Sequence, residues 1–532
     1  MAAVMCASCN GVAGWFGTKD STSTETTSPQ TTALVRDNSI NEANAYSDLF
    51  LDSAAVENFI RAEKLPGSDA SSLRSFYLVR NYGYAWLASD GLTDEARSFW
   101  TLHGKNTDNG ERKERFHSYI DTLLQNGSLQ LAATDSMTVR TELGITAAFV
   151  KYAAAQSTGA INRSNFYRAV PAKKVDPMQW ADSVLNRSSD TAEAGVNPVY
   201  TGLRMGLATY YDAAKKGGWQ PLPSGTLRKG MSAPSVAMLK KRLAATRQYG
   251  ADTTTVYNDS LMAAVRGAQR QFGLAETGIA TDSLIQALNV PAEQRIAQIL
   301  VNLNRVRWVA EPTDGDHIEV NIPSFMLAAY RGGQQVLSMP VVVGKDGAGT
   351  VSFRDSISQV IFNPTWNVPS SIVRNEIMPA MKSDPSYLKK RHMEVVSSKD
   401  SVPVIRQLPG GDNALGRVKF LFPNSYDIYL HDTPAKSLFD KGNRALSHGC
   451  IRVARPDSLA AFVLQGESGW DAPKIATAMM GDRQQEVKVS RPVPVSITYF
   501  TVWSDASGLL QFRNDVYGHD RSTMQKLFLH GG

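Results

Sequence analysis

The chain has 532 residues, which points to three or four domains rather than one. Hydrophobic residues make up 42% and charged residues 20%, a globular balance that excludes disordered and collagen-like chains, and the net charge of +6 is too mild for a dedicated nucleic-acid binder. Apolar runs such as Ile145 to Val150 fall far short of the roughly 18 residues a membrane span needs, so a multi-pass membrane protein is excluded.

The N-terminus carries two of the three cysteines, Cys6 and Cys9, and no Lys or Arg before Lys19. A secretory signal needs a positive start and a longer apolar core, and both are missing. Small residues Ala7 and Ser8 before Cys9 nevertheless resemble the end of a bacterial lipoprotein signal, and residues 18–32 are rich in Ser and Thr, as in a tether. Two readings of residues 1–33 stand. One is a lipid-anchored export product, acylated at Cys6 or Cys9, whose native start lies upstream of Met1; the other is a disordered terminus with incidental cysteines.

Residues 34–221 read as a helical scaffold. Apolar residues recur at helical spacing in Leu73, Phe76, Tyr77 and Val79, and again in Phe116, Tyr119, Ile120 and Leu123. Trp86, Trp100, Trp180 and Trp219 are expected to pack in cores or between helices.

Residues 226–290 are more specific. Leu227-Arg-Lys-Gly230 leads into a stripe of Val236, Leu239 and Leu243. A second stripe runs Leu261, Ala264, Val265, Ala268 and Phe272, with Gly273 suited to follow the helix end. A third short helix carries Leu284 and Leu288. The pattern resembles the three-helix peptidoglycan-binding module of bacterial wall enzymes. It departs from that family at Met231 and Ala233, where Asp and Gly are usual, which weakens the expected grip on glycan.

Residues 295–532 switch to β-type runs: Ile318, Val320 and Ile322; Val341 to Val343; Val360 to Phe362; Tyr426 to Tyr429; and the alternating Val493, Val495, Ile497 and Tyr499. Asp346 to Thr350, with two glycines, reads as a loop. Helical spacing at Ile377, Met381 and Tyr387 marks an insertion, about 373–406, that is expected to form a lid. The Ser504 to Gly508 loop leads on to Leu510 and Phe512.

The third cysteine stands in Arg444-Ala-Leu-Ser447-His448-Gly449-Cys450-Ile-Arg452-Val453, with Ile428-Tyr429-Leu-His431-Asp432-Thr-Pro434 upstream. A nucleophilic thiol needs a base, a group to orient that base, and donors for an oxyanion. His431 lies on an expected strand end, and the loop between can return the imidazole to the sulfur. Gly449 lets backbone N–H groups approach a developing oxyanion. Cys450 lacks the paired Cys or His at short spacing that a zinc site needs, and papain-type motifs around it are missing.

Ser-His-Gly-Cys-Ile-Arg with an upstream His is similar to the signature of the YkuD-type L,D-transpeptidases. Val343-Gly344, Asn363-Pro-Thr-Trp-Asn-Val-Pro369, Pro409-Gly, Asn413-Ala-Leu-Gly416, the Tyr-Leu-His-Asp-Thr-Pro string and Pro492-Val-Pro-Val bring it nearer the large YcbB-like members. Thr365 stands where relatives often have Pro. The resemblance implies a mostly-β catalytic domain with a helical lid, behind a helical N-terminal scaffold and the small binding module. It makes Cys450 the nucleophile and His431 the base, the latter held by the backbone carbonyl of Asp432. The N–H groups of Gly449 and Cys450 become the oxyanion hole. Arg452 either meets a substrate carboxylate or sits in a structural ion pair. His448 reads as structural and Ser447 as a hydrogen-bonding neighbour, while Trp366 and Tyr429 line the cleft or pack in the core. No cofactor is implied.

The implied partners are peptidoglycan stem peptides, glycan strands and carbapenem-type inhibitors, in the periplasm or cell envelope. The implied reaction is 3→3 cross-linking through a cysteine thioester with loss of terminal D-Ala. An L,D-carboxypeptidase, a protein-to-wall anchoring enzyme and a non-catalytic wall-binding protein are the alternatives.

Overall fold

A computed structural model describes residues 34–103, 111–125, 130–155, 166–186, 198–308, 315–398 and 401–529. Cys6 and Cys9, and with them the tether and lipidation readings, lie outside the described residues. Among the described residues no helix is long and apolar enough to cross a membrane.

The N-terminal region is helical because its apolar stripes are capped and find a shared core. Helix Ser53–Glu63 starts where the Asp52 side chain accepts the Ala54 N–H at 2.9 Å. Helix Gly67–Leu78 buries Leu73, Phe76 and Tyr77, and Val79 falls just past its end. Helix Ser136–Ala155 places the carboxylate of Glu142 inside the core, where it accepts the N–H groups of Ala85, Trp86 and Leu87 and the Tyr77 hydroxyl. A charge this deep is tolerated only with such saturation. Burial still pushes its pKa up to about 7. Trp86 and Trp100 are buried; Trp180 packs on Phe528, and Trp219 lies under the Arg242 guanidinium.

Three helices, Pro234–Ala245, Asp259–Gln271 and Asp282–Asn289, close the small module around Val236, Leu239, Leu243, Leu261, Val265, Leu284 and Leu288. Asn258 caps the second helix through the Leu261 N–H, and Gly273 takes φ +66° just beyond its end. Met231 and Ala233, the two departures, pack against this core.

The C-terminal region is a nine-stranded sheet. Its order is Ala445–Ser447, Gln334–Gly344, Ile451–Val453, Leu430–His431, Val418–Leu421, Phe353–Phe362, Gln485–Thr498, His317–Asn321 and Met326–Arg331. The last strand pairs back onto Gln334–Gly344, so the sheet closes on itself, barrel-like. Inside are Val320, Leu327, Met339, Val341, Ile357, Val360, Val418, Phe420, Leu430 and Ile451, with Leu459 of helix Pro456–Val463.

Two expectations change. The Tyr426 to Tyr429 run is a turn, and the strand begins at Leu430. Asp427 takes φ +54°, while the Asn424 carboxamide accepts the Tyr426 and Ile428 N–H groups, so local side-chain bonding replaces the ladder. The insertion is mixed rather than wholly helical. Short helical turns between Ser370 and Lys390 are followed by strands Met393–Ser397 and Val404–Gln407, the latter pairing with Trp366–Asn367. Val368, Val373, Ile377 and Ile405 give it a small core of its own.

Candidate active site

The nucleophile candidate sits where the chain turns back over the end of strand Gln334–Gly344. Strand Ala445–Ser447 runs along one side of it and Ile451–Val453 along the other. The turn between them needs Gly449, whose φ of +114° lies outside the range a side chain tolerates. Cys450 follows at once. Strand Leu430–His431 pairs in parallel with Ile451–Val453, setting His431 opposite Arg452.

His431 is buried, and its Nδ1 donates to the Asp432 backbone carbonyl at 2.5 Å. The ring also meets the Leu415 backbone carbonyl, so two backbone acceptors hold its orientation. Asp432 is itself clamped: its carboxylate accepts the N–H groups of Arg417 and Thr433 and the Lys436 ammonium. Gly416 makes room for it, since a Cβ there would lie 2.4 Å from the Asp432 carboxylate. Burial, with help from the nearby Arg452 and Lys419 charges, pushes the His431 pKa down to about 3. The imidazole is therefore neutral at pH 7.

The Cys450 sulfur is directed at the turn before His431. It lies 3.4 Å from the Asp427 carbonyl and is hydrogen-bonded by the Tyr429 backbone and hydroxyl. His431 is not among its partners. Burial raises the thiol pKa, opposed by the Tyr429 bonds and the Lys419 charge. The Tyr429 hydroxyl also bonds the Trp366 side chain, which links Trp366 to the sulfur through Tyr429. Lys419 stands 4.7 Å over the Tyr429 ring, opposite His431 in the neighbouring strand.

Arg452 has no carboxylate partner among the described residues, and its buried Nε makes no hydrogen bond. Its charge lies near enough to act on both Cys450 and His431. Ser447 Oγ donates to the Cys450 carbonyl at 2.6 Å and accepts the Gly449 N–H at 3.3 Å. The Gly449 N–H is thus engaged, whereas the Cys450 N–H has no partner among the described residues. His448 points the other way. Its Nε2 lies 2.8 Å from Glu376, tying the nucleophile turn to the inserted segment.

Asn363 and Asn413, part of the motif string, serve as braces. Asn363 takes φ +45° and bonds Ala478 and Arg417; Asn413 bonds the carbonyls of Pro364 and Leu408 at the root of the insertion. Sequence reasoning missed Lys419 and Asp427. Lys419 shows only as a polar position in an alternating strand. Among the described residues no group of three or more His, Cys, Asp or Glu is placed to hold a metal ion.

With that geometry in hand, residues 315–489 match the family model of the L,D-transpeptidase catalytic domain, YkuD. The chain carries a YkuD domain. Residues 71–207 match a model described as a scaffold domain, and residues 232–288 match the "Putative peptidoglycan binding domain". The architecture is therefore a helical N-terminal scaffold, a peptidoglycan-binding domain and a mostly-β YkuD domain. A curated relative from Haemophilus influenzae named "Putative L,D-transpeptidase" is 34% identical over 245 residues. That alignment covers 43% of this chain and 49% of the relative, so it spans about half the relative's length.

Solved structures are more distant. An L,D-transpeptidase from Xylanimonas cellulosilytica is 14% identical over 52% of this chain and 99% of that chain, with a TM-score of 0.16. L,D-transpeptidase 3 from Mycobacterium tuberculosis, solved with a faropenem-derived adduct, is 15% identical over 34% and 60%, with a TM-score of 0.20. Scores this low carry no argument about mechanism.

Proposed function

We propose that the protein is a peptidoglycan L,D-transpeptidase of the cell envelope, forming 3→3 cross-links through a Cys450 thioester. The observation that carries this reading is the pairing of the His431 strand with the strand that follows Cys450, inside the matched catalytic domain. In the reaction, the thiol rotates away from Asp427 and gives its proton to the neutral His431 imidazole. The sulfur then attacks the carbonyl of the third stem residue. The free Cys450 N–H and the Tyr429 hydroxyl face the growing oxyanion, with the Gly449 N–H joining if it leaves Ser447.

The C–N bond to D-Ala breaks, and D-Ala leaves as an amine carrying the proton from His431. A side-chain amine from a neighbouring diamino acid attacks the thioester, forms the new amide and returns the thiol. Arg452 is assigned to a substrate carboxylate, for which its unpartnered guanidinium is suited. A carbapenem carbonyl meets the same thiolate, forming a thioester as the ring C–N bond opens.

The test is incubation with disaccharide-tetrapeptide muropeptides, followed by mass spectrometry, with Cys450→Ala alongside. A Cys450-dependent dimer lacking one D-Ala is expected. Tripeptide without dimer makes water the acceptor and the protein an L,D-carboxypeptidase. Products that persist in Cys450→Ala sink the assignment of the nucleophile.

A further inference from the structure

The peptide that joins Gly449 to Cys450 is gripped from behind. Its carbonyl oxygen, on Gly449, accepts the Thr350 hydroxyl at 2.7 Å. Its N–H, on Cys450, has no partner among the described residues. A trans peptide is planar, with C=O and N–H pointing in opposite directions. Anchoring the oxygen therefore aims the Cys450 N–H away from Thr350.

Thr350 is fixed in turn. It is buried, its Oγ1 accepts the Gly344 N–H at 2.9 Å, and its own N–H donates to the Tyr517 hydroxyl at 3.1 Å. The Tyr517 hydroxyl donates back to the Gly344 carbonyl at 2.6 Å, closing a ring of hydrogen bonds. Gly344 permits this closeness, because a Cβ there would stand 2.2 Å from the Ala348 carbonyl oxygen and 2.7 Å from the Thr350 nitrogen.

A cavity adjoins the loop on its other side. Gly347, Gly349, Thr350 and Tyr517 line a cavity of about 440 Å³ that reaches Arg97 of the scaffold and His519. The hydrogen-bond ring therefore acts beside the packing of Val351 and Tyr517 to set the loop's position. Tyr517 lies beyond the matched catalytic segment of residues 315–489. Its backbone N–H donates to the Tyr499 hydroxyl, which donates to Asp515.

We propose that Thr350 and Tyr517 are positioning residues that orient the Cys450 N–H as an oxyanion donor, through the peptide plane between Gly449 and Cys450. The inference rests on the acyl-transfer reading above and adds to it two residues that touch neither substrate nor sulfur. Tyr517 brings the C-terminal segment into the nucleophile turn.

The test compares two reactions of the same thiol in the full chain. Acylation by imipenem passes through an oxyanion; alkylation by iodoacetamide is a displacement at carbon that forms none. Thr350→Val keeps the shape and removes the hydroxyl. It is expected to lower the imipenem acylation rate constant about tenfold to a hundredfold, the scale of a weakened oxyanion donor. Thr350→Ser retains the hydroxyl and is expected to restore acylation. Tyr517→Phe, which keeps the ring, is expected to slow acylation less than Thr350→Val. Iodoacetamide labelling should match the unsubstituted protein in all three.

Parallel loss of acylation and alkylation, or unchanged acylation in both Thr350→Val and Tyr517→Phe, overturns the proposal. Thermal unfolding of each variant separates a misfolded protein from a misaimed peptide, and Tyr517→Phe carries the test alone if Thr350→Val does not fold. If the unsubstituted protein labels with iodoacetamide yet neither imipenem nor a tetrapeptide acylates Cys450, the acyl-transfer reading itself fails, and this inference with it.

Discussion

At Cys450 the resting state is set by burial rather than by ion pairing. The imidazole of His431 is buried beside Arg452 and Lys419, and its pKa falls to about 3; the buried thiol moves the opposite way, upward. Both shifts favour a neutral pair over imidazolium–thiolate. The rate of Cys450 alkylation by iodoacetamide is therefore expected to keep climbing past pH 9, with no inflection near the ordinary imidazole value of 6.5. A plateau above 6.5 would mean a preformed ion pair. The same depression makes His431 a source of acid sensitivity. The folded state resists protonation that the unfolded state accepts, so this contribution to stability is complete above pH 6.5 and is lost as pH falls towards 3. Cys450 and His431, the pair proposed here, stand out in the sequence because each sits in a local motif with its own neighbours. Thr350 was legible only as part of a loop, and Tyr517 not at all. Thr350 meets Gly449 across 99 positions of chain, and Tyr517 meets Gly344 across 173, through a sheet closure that no local pattern encodes.

Elements were read best where a stripe finds its core locally. The three-helix module and strand Gln485–Thr498 follow their apolar periods, whereas the Tyr426–Tyr429 run has β-type composition and is bent by Asn424 instead. The inserted segment reads as helical from its clear stripe at Ile377, Met381 and Tyr387. Its strands stay hidden because Val395, Val396 and Val404 are apolar at exposed positions, so neither Met393–Ser397 nor Val404–Gln407 alternates apolar with polar residues, although the latter alternates in burial. Helix Pro198–Lys215 shows a contact that only the assembled elements reveal. Gly202 and Gly206 lie against the strands Val502–Ser504 and Leu510–Phe512; a Cβ on Gly202 would be 2.4 Å from the Ser504 Cβ, and one on Gly206 2.3 Å from a Leu510 methyl. Leu510 can turn a methyl aside, but the Ser504 Cβ moves only with its backbone. Gly202→Ala gains at most about 1 kcal/mol of helix propensity, against about 1–3 kcal/mol for overpacking. Packing should win, and thermal unfolding is expected to shift downward. An unchanged or raised midpoint would show that the strands yield without cost.

Across the whole molecule, the scaffold and the catalytic sheet are not separate bodies tied by a linker. Trp86, Phe99 and Phe149 of the helical region and Trp308 belong to one continuous buried cluster with the interior of the closed sheet. A polar tie runs beside it. Arg305 bonds Asp94 from the scaffold at 2.7 Å and Asp520 from the C-terminal segment at 2.5 Å, and Asn304 bonds the buried Glu95. Asp520 is nearly inaccessible, and burial pushes its pKa up even with Arg305 beside it. Removing the guanidinium would leave the buried Asp520 without its counter-charge and Asp94 with only the Arg97 charge nearby. Arg305→Leu is therefore expected to cost about 3–5 kcal/mol, the scale for breaking a buried pair from one side. Arg74→Leu removes an exposed pair with Glu57 and should cost about 0–1 kcal/mol. Because the core is shared, scanning calorimetry of Arg305→Leu should show the helical and catalytic regions unfolding together in one lowered transition. Two resolved transitions, with the catalytic one unmoved, would mean that Arg305 stabilises the scaffold alone. The C-terminal segment would then reach Gly344 and Thr350 without help from the helical half of the chain.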